Sequence, residues 1–188
     1  VVVAIDARSL QEEPEWPWPR SWHAQVIDEL HDAGGRQIPD DIDFSAASSE
    51  REDEKLTAAL AGAGNSVILP VFQQSADSRN NNVAATAPLP RFAQHTQIAS
   101  ANIRPDRDGI VRRLARVELW SGTLVPTMAA AVAGLQPSAI GSFHVDFGFE
   151  WRNIRTVSYV DVLRGRIGPQ TFADKIVLIG ATALELGD

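Results

Sequence analysis

Six polar residues are candidates for one binding site, because their side chains can bind a polar ligand or transfer a proton. They are Asp6, Arg20, His23, Asp41, Asp43 and Thr182. If the fold brings them together, their carboxylates, guanidinium and imidazole could hold a polar small molecule or a hard cation. They could also pair with one another, and Arg20 bound to Asp6 or Asp41 would lock a loop onto the sheet. Charged groups near a core are usually paired, so we favour this structural pairing.

The segment around Arg20 has the most unusual composition in the chain. Trp16-Pro17-Trp18-Pro19-Arg20 precedes a helix that carries Trp22 and His23. Proline fixes its own φ and restricts the residue before it, so we predict a stiff, extended segment that holds its indoles in fixed directions. Indoles beside a core helix favour a hydrophobic lid, whereas an aromatic cage for a cation would need open ring faces. We predict that His23 forms a local hydrogen bond at the helix start.

Several kinds of catalytic site are excluded because their motifs are missing. The first predicted strand is followed by Asp6-Ala7-Arg8-Ser9 rather than by a glycine-rich phosphate loop, and no Gly-x-Ser-x-Gly elbow occurs. The four histidines match no zinc spacing, and the chain has no cysteine. We therefore expect no catalysis, no cofactor and no metal. The enzymatic alternative is a metal-assisted hydrolase, in which the strand-end aspartates hold a cation that activates water.

Strands and helices that must position these residues alternate over the first 72 residues. Residues 1–5 and 67–72 are apolar runs typical of a parallel sheet, and a loop is expected after Asp6. The two helices between them are predicted from apolar residues at helical spacing, which are Trp22, Val26, Ile27 and Leu30 in the first and Leu56, Ala59, Leu60 and Ala63 in the second. Gly34 ends the first helix, and Ser49 with Glu52 caps the second. Residues 37–44 are expected as an edge or irregular strand because they contain Pro39.

The rest of the chain predicts further elements around that sheet. Residues 73–90 are expected to form a mobile polar excursion. Residues 98–103 and 110–120 flank Pro105-Asp106-Arg107-Asp108-Gly109 as an antiparallel hairpin, with Arg112, Arg113 and Arg116 on a solvated face. Helices are predicted at 128–132 and at 158–163, the second capped by Ser158 and Asp161, and strands at 144–149 and 175–179. These elements predict an α/β fold with a mostly parallel central sheet, helices on both faces and an inserted antiparallel hairpin, in a single domain of residues 1–188.

Size and charge limit the classes of partner. The chain has 188 residues, enough for one sizeable core, and a net charge of −7. Residues 1–60 carry a balance of −9 and residues 104–188 a balance of +1, so neither part has the basic surface that binds nucleic acid. No apolar run is long enough to cross a bilayer. The absence of cysteine does not indicate a compartment.

Short blocks of sequence along nearly the whole chain form a recognisable series. In chain order they are Val-Val-Ala-Ile-Asp at 2–6, Trp-Pro-Trp-Pro-Arg at 16–20 with His23-Ala24, Asp-Ile-Asp-Phe-Ser at 41–45, Asn102-Ile103, Asp-Arg-Asp-Gly-Ile-Val-Arg-Arg at 106–113, Thr-Val-Ser-Tyr at 156–159, Asp-Val-Leu at 161–163 and Lys-Ile-Val-Leu-Ile-Gly-Ala-Thr-Ala at 175–183. Each block alone is weak, but their combination is specific. Together, and in this order, they resemble the CHASE2 family of extracytoplasmic sensor domains.

The resemblance implies a domain outside the cytoplasmic membrane of a bacterium, tethered by membrane helices that this excised fragment lacks. It implies a signalling receptor whose cytoplasmic output domain, a nucleotide cyclase, diguanylate cyclase or kinase, is absent from this chain. The signal would be an unknown small molecule or protein, bound by Asp6, Arg20, His23, Asp41, Asp43 and Thr182 if such a site exists. We expect a homodimer, because membrane-spanning sensors commonly need a partner to transmit a tilt or rotation. A dimerisation module without a small ligand is the other alternative.

Overall fold

The computed structural model describes residues 1–75, 83–135 and 140–183. Its strands are β1 (Val2–Ile5), β2 (Ile38–Pro39), β3 (Val67–Ser75), β4 (Val83–Thr86), β5 (Gln97–Ser100), β6 (Arg113–Ala115), β7 (Val117–Trp120), β8 (Thr123–Pro126), β9 (Ser142–His144), β10 (Thr156–Ser158) and β11 (Leu178–Ala181). Its α-helices are α1 (Ala7–Glu12), α2 (Arg20–Asp32), α3 (Glu50–Ala63), α4 (Pro90–Ala93), α5 (Met128–Val132) and α6 (Tyr159–Leu163). No helix within these residues is long and apolar enough to cross a membrane.

Six parallel strands form the centre of the fold. β10 and β11 flank β1, and β2 and β5 pair with β3, all in parallel register. Two isolated parallel bridges, Gln37 to Ile176 and Asp40 to Ile179, join β2 to the β11 side. The central strand order is therefore β10-β1-β11-β2-β3-β5, and the carboxyl ends of these strands lie at one edge. This is the mixed α/β architecture with a parallel sheet that the sequence predicts.

The larger helical layer covers one face of the sheet. α2 buries Val26, Ile27 and Leu30 and ends before Gly34, whose φ of 78° suits a residue without a Cβ. α3 begins at Ser49, whose side chain accepts a hydrogen bond from the amide N–H of Glu52. Both helices pack with α6 over the inward side chains of β1, β3 and β11. The predicted bounds of these helices are confirmed to within a few residues.

The opposite face carries a thinner layer. Along β3, Val67 and Leu69 belong to the main core, whereas Ile68 points to the other face and packs with Ala99 and Ala131. Ala131 lies on α5, which contacts β3 and β5. Helices therefore lie on both faces, and in the described part of the chain the second face is covered by one short helix.

The predicted hairpin around residues 105–109 is wrong. The turn itself forms, with the Gly109 amide donating to the Asp106 carbonyl, but the flanking segments do not pair with each other. β5 instead lies parallel to β3, β6 pairs with β9, and β7 forms a hairpin with β8. Ser121 and Gly122, both at positive φ, make the tight two-residue turn of that hairpin. The alternating pattern of residues 110–120 predicts strands but does not identify their partners.

Several element bounds also differ from the prediction. The segment after Asp6 is not all loop, because the Asp6 side chain caps the short helix α1. The strand predicted at 144–149 ends at His144, since Asp146 accepts from the Gly148 amide and turns the chain. The last strand begins at Leu178, because residues 175–177 bond to the segment before β2. The excursion predicted at 73–90 contains the antiparallel pairing of β3 with β4 and reaches the first residue of α4, and residues 76–82 lie outside the described residues.

Two of the three arginines predicted on a solvated face contribute to a charged turn, whereas Arg116 is half-buried and its buried Nε has no hydrogen-bond partner in the described part of the chain. Arg112 pairs with Asp106 and Asp108, and Arg113 pairs with Asp106. These side chains are about half exposed, so the pairs hold the shape of the turn and add little to overall stability. Asp106 and Asp108 therefore serve as the acidic partners of the arginines in this turn.

Candidate functional site

The Trp-Pro segment leads directly into α2 and places its indoles at different depths. The Trp16–Pro17 peptide bond is cis. Trp18 is 4% exposed, its ring stacks on Tyr159 with centroids 4.8 Å apart, and its Nε1 donates to the Glu13 carbonyl at 2.8 Å. Trp16 lies edge-on to Trp18 at 5.1 Å and is 40% exposed. Trp18 therefore covers the core, as the predicted hydrophobic lid requires. Trp16 instead exposes part of its indole to solvent.

Arg20 is the first residue of α2, and two of its three guanidinium nitrogens have partners. Its Nε lies 3.1 Å from Oδ1 of Asp53 in α3, and its Nη2 donates to the Ala46 carbonyl. The guanidinium carbon lies 5.3 Å and 5.0 Å from the ring centroids of Phe44 and Phe92. Its Nη1 is buried and has no hydrogen-bond partner among the residues that the structure describes. Burial lowers the pKa of Arg20, and the charges of Asp53 and Asp43 oppose this effect, so the group remains a cation.

The predicted pairing of Arg20 with Asp6 or Asp41 is wrong, because Asp53 is the partner. Asp53 lies in the first turn of α3, and α2 and α3 make the most extensive helix contact of the fold. Its carboxylate is 3% exposed, and the amide N–H of Ser48 points at both of its oxygens at 3.3 Å. The pair therefore joins α2 to the start of α3 and does not join the loop to the sheet.

His23 lies one turn after Arg20 on the same side of α2 and is 4% exposed. Its Nδ1 is 3.1 Å from Oη of Tyr159 in α6, so the expected local hydrogen bond is replaced by one that crosses the core. Burial, reinforced by the nearby charge of Arg20, lowers the pKa of His23 to about 4. The imidazole is consequently neutral at physiological pH.

A cleft of about 710 Å³ opens beside these groups, and we call it the Trp-Pro cleft. It is lined by residues 16–20, His23, residues 41–44, residues 46–48, Glu52 and Ala181. The structure thus brings Arg20, His23, Asp41 and Asp43 to one cleft. Asp41 and Asp43 are exposed at its rim, whereas Arg20 and His23 are buried in its wall.

Asp6 and Thr182 do not line the Trp-Pro cleft. Oδ1 of Asp6 accepts from the amide and hydroxyl of Ser9 at 2.8 Å and 2.7 Å, and Oδ2 accepts from the hydroxyl of Ser158. Burial opposes ionisation of Asp6, but the hydrogen bonds from Ser158 and Ser9 outweigh it, and the pKa is lowered. The Thr182 amide donates to the Ile5 carbonyl, next to Asp6. Asp6 therefore ties α1 and the start of α6 to the end of β1.

The strand-end carboxylates do not gather around one point. Within the described residues, no three Asp, Glu or His side chains are placed to hold a metal ion together. Asp6 is enclosed by serines, while Asp41 and Asp43 lie at the rim of the Trp-Pro cleft. This arrangement gives no geometric support to a hydrolase built on the strand-end aspartates.

Asp40 is a buried acid that the sequence analysis did not single out as functional. It is fully buried and its amide donates to the Ile68 carbonyl. In the described part of the chain neither carboxyl oxygen makes a well-formed hydrogen bond, although the Ile42 backbone amide lies close enough to lower the pKa of Asp40 in part. Burial raises the pKa of Asp40 well above its usual range, and the charge of Asp41 raises it further. The sequence did contain a signal for this burial. Side chains two residues apart point to the same face of a strand, and Ile38 points into the core, so Asp40 does the same.

A second groove, of about 790 Å³, runs between α2 and α3 and is lined by side chains that include Gln25, Asp28 and Lys55. It contains none of the six predicted site residues. Its lining residues all belong to the described part of the chain, and none of them has a buried polar atom without a partner. The Trp-Pro cleft is therefore the better candidate for a binding site.

Comparison with known families gives one result that covers the whole chain. A family model described as CHASE2 domain matches residues 1–188. Comparison with curated proteins and with solved structures gave no match.

Proposed function

The chain belongs to the CHASE2 family, whose members are sensory domains, and from this premise we propose that it is the extracytoplasmic sensory domain of a bacterial transmembrane signalling receptor. Its role would be to bind a signal outside the cytoplasmic membrane and to relay it to a cytoplasmic cyclase, diguanylate cyclase or kinase. Membership of a sensory family supports this proposal, and a role without catalysis of its own is consistent with it.

The observation that carries ligand binding is the pair of buried polar groups in the wall of the Trp-Pro cleft. Within residues 1–75, 83–135 and 140–183, Nη1 of Arg20 has no hydrogen-bond partner, and the imidazole of His23 lines the same cleft. A buried donor without a partner typically costs about 1–3 kcal/mol, so a ligand that satisfies it gains affinity. We therefore propose that Arg20, His23, Asp41 and Asp43 contact the signal. Asp6 and Thr182, outside the cleft, would act on the fold instead.

Signal relay would require two arrangements of the domain that differ in affinity for the ligand, since a ligand shifts an equilibrium only by that difference. α2 is a suitable moving element, because it begins at the cleft and packs on both α3 and α6. We propose that the receptor is a homodimer, in which a small rotation of α2 alters how two copies meet.

Two experiments on the full-length receptor test this function. Alkaline phosphatase fused at the end of the domain should be active if the domain lies outside the cytoplasmic membrane, and inactivity there would contradict the proposed location.

The receptor in vesicles should change its output activity when a cleft ligand is added to the outside. Ligands would be found by the rise in thermal midpoint that they cause in the 188-residue chain. If no polar compound raises the midpoint, the domain is a ligand-free dimerisation module instead.

A further inference from the structure

We propose that the Trp-Pro cleft recognises a small zwitterion, a molecule with a carboxylate and an ammonium group, such as an α-amino acid. The inference rests on the proposed sensory function and specifies the class of signal. It depends on donors and carboxylates that occupy different parts of the same cleft.

The wall of the cleft supplies hydrogen-bond donors. Arg20 is only 9% exposed, its Nε and Nη2 are engaged by Asp53 and Ala46, and its Nη1 has no partner. A buried guanidinium nitrogen without an acceptor is costly, and a carboxylate is the acceptor whose charge and geometry suit it best. The acceptor for Nη1 of Arg20 is therefore absent from the described part of the chain, and a ligand carboxylate would supply it.

His23 adds a second donor through its tautomer. Within the described residues, the hydroxyl of Tyr159 has one hydrogen-bond partner, which is Nδ1 of His23. The simplest network has the Tyr159 O–H donate to Nδ1, because the opposite arrangement would leave the hydroxyl proton without an acceptor. The proton of the neutral imidazole then lies on Nε2, which has no partner among these residues. We assign this tautomer from the network, and it makes Nε2 a donor next to Arg20.

The rim of the cleft supplies carboxylates. Asp41 and Asp43 are exposed and line the same cleft as His23. Asp43 is also close enough for its charge to raise the pKa of Arg20, against the larger lowering by burial. A ligand with only negative charge would meet these carboxylates, and a ligand with only positive charge would leave Nη1 of Arg20 unsatisfied. A carboxylate at the wall with an ammonium group at the rim satisfies both.

The cleft also has an apolar part. Trp16, Pro17, Ile42 and Phe44 are among its lining residues, and Trp16 is 40% exposed. An apolar side chain on the zwitterion would cover this indole, and its burial would add affinity in proportion to the area removed from water. This favours amino acids with aliphatic or aromatic side chains over glycine.

The test begins with the ligand. Isothermal titration calorimetry of the 188-residue chain would use each standard L-amino acid singly. For any that binds, its methyl ester, which lacks the carboxylate charge, and its N-acetyl derivative, which lacks the ammonium, are then titrated. We expect the parent amino acid to bind at least about 10-fold more tightly than either derivative, because each derivative loses a charge-assisted hydrogen bond. No binding by any amino acid, or equal affinity for the derivatives, overturns the zwitterion proposal.

Two substitutions of one residue separate recognition from folding. His23→Asn keeps an amide near the position of Nδ1 for Tyr159 and removes Nε2, so affinity should fall about 10- to 100-fold. His23→Gln places its amide near Nε2 and should retain most of the affinity. Asp28→Asn, on the exposed side of α2 and outside the cleft, should change nothing. Equal affinity of the first two variants would contradict the donor role of Nε2.

Failure of this inference can be told apart from failure of the sensory function. If a compound that is not zwitterionic raises the thermal midpoint, and His23→Asn abolishes that rise, the cleft senses a ligand of another class. If neither amino acids nor any other compound bind, the proposed ligand-sensing function fails as well.

Discussion

Nε of Arg20 lies 3.1 Å from Oδ1 of Asp53, and the two side chains are only 11% and 3% exposed. This ion pair joins α2 to the first turn of α3, as does the hydrogen bond from the Ser21 amide to Glu52 at 2.7 Å, and Arg20 also lines the Trp-Pro cleft. One edge of the guanidinium joins two helices, which is the structural role that the sequence presents as one alternative. Under our proposal, the nitrogen without a partner in the described part of the chain would also bind the ligand.

Replacing Arg20 should destabilise the domain. Arg20→Met leaves the buried charge of Asp53 without its main partner, and breaking a buried pair in this way typically costs about 3–5 kcal/mol. Urea unfolding of the 188-residue chain measures the loss. The double variant Arg20→Met with Asp53→Leu should recover much of it, because no uncompensated charge remains. Arg36→Met, which removes an exposed pair with Asp174, should change the free energy of unfolding by less than about 1 kcal/mol. An unchanged midpoint for Arg20→Met would show that the pair is not a clamp.

Stability should fall on mild acidification because of His23. Its pKa in the folded chain is about 4, against an ordinary value of 6.5, so the unfolded chain binds more protons between these values. The stabilisation is complete above pH 6.5 and is lost as the pH falls towards 4. Between pH 7 and pH 5 the contribution of His23 should decrease by about 2 kcal/mol. Urea unfolding at both pH values measures it.

His23→Gln is the control for this pH dependence. The amide does not titrate, so the difference in unfolding free energy between the wild-type chain and the variant isolates His23 from the other acids and histidines. If the difference is the same at pH 5 and pH 7, the imidazole is not held neutral by burial.

Asp40→Asn should stabilise the domain at neutral pH. Burial raises the pKa of Asp40, so folding must hold its carboxyl protonated where the unfolded chain would ionise it. This cost is absent below the ordinary pKa of 3.8 and grows as the pH rises towards the folded value. We expect a gain of at least about 1 kcal/mol at pH 7 and a smaller one at pH 4, since raising a pKa by one corresponds to about 1.36 kcal/mol.

Thermal unfolding of Asp40→Asn at the two pH values checks this gain. The groups facing Asp40 are Asp41, Tyr159 and the backbone of Ile42, and the substitution leaves all three in place. A gain that does not grow with pH, or a loss at pH 7, would mean that Asp40 is charged and paired in the folded chain.

Local patterns in the sequence predict the elements of this fold better than their partners. The apolar runs of β1 and β3 and the spacing of Val26, Ile27 and Leu30 predict buried strands and a helix, because periodicity depends only on neighbours in the chain. The partner of residues 110–120 could not be predicted in this way. A tight turn was present on both sides of that segment, and the choice between them depends on packing against β5.

The candidate site shows the same division. The sequence brings Arg20, His23, Asp41 and Asp43 to one edge of the sheet, because strand ends and the following helix start meet there. It could not identify Asp53 as the partner of Arg20, since that contact depends on how α3 lies against α2. It also placed Asp6 in the site, although Ser9 lies at the spacing of a helix cap and the chain after Asp6 bends into α1.

Asp6 should matter for folding and not for recognition. Asp6→Ala removes the cap of α1 and the acceptor for Ser158, which should lower the free energy of unfolding by about 1–3 kcal/mol. Asp6→Asn keeps an oxygen for the Ser9 amide but replaces the other with a donor, so its loss should be smaller. Because Asp6 lies outside the Trp-Pro cleft, ligand affinity of the folded Asp6→Asn variant should match that of the wild-type chain in calorimetry. Two results would return Asp6 to the functional site. One is metal-dependent hydrolysis by the wild-type chain that Asp6→Asn abolishes, and the other is a loss of ligand affinity in a variant that still folds.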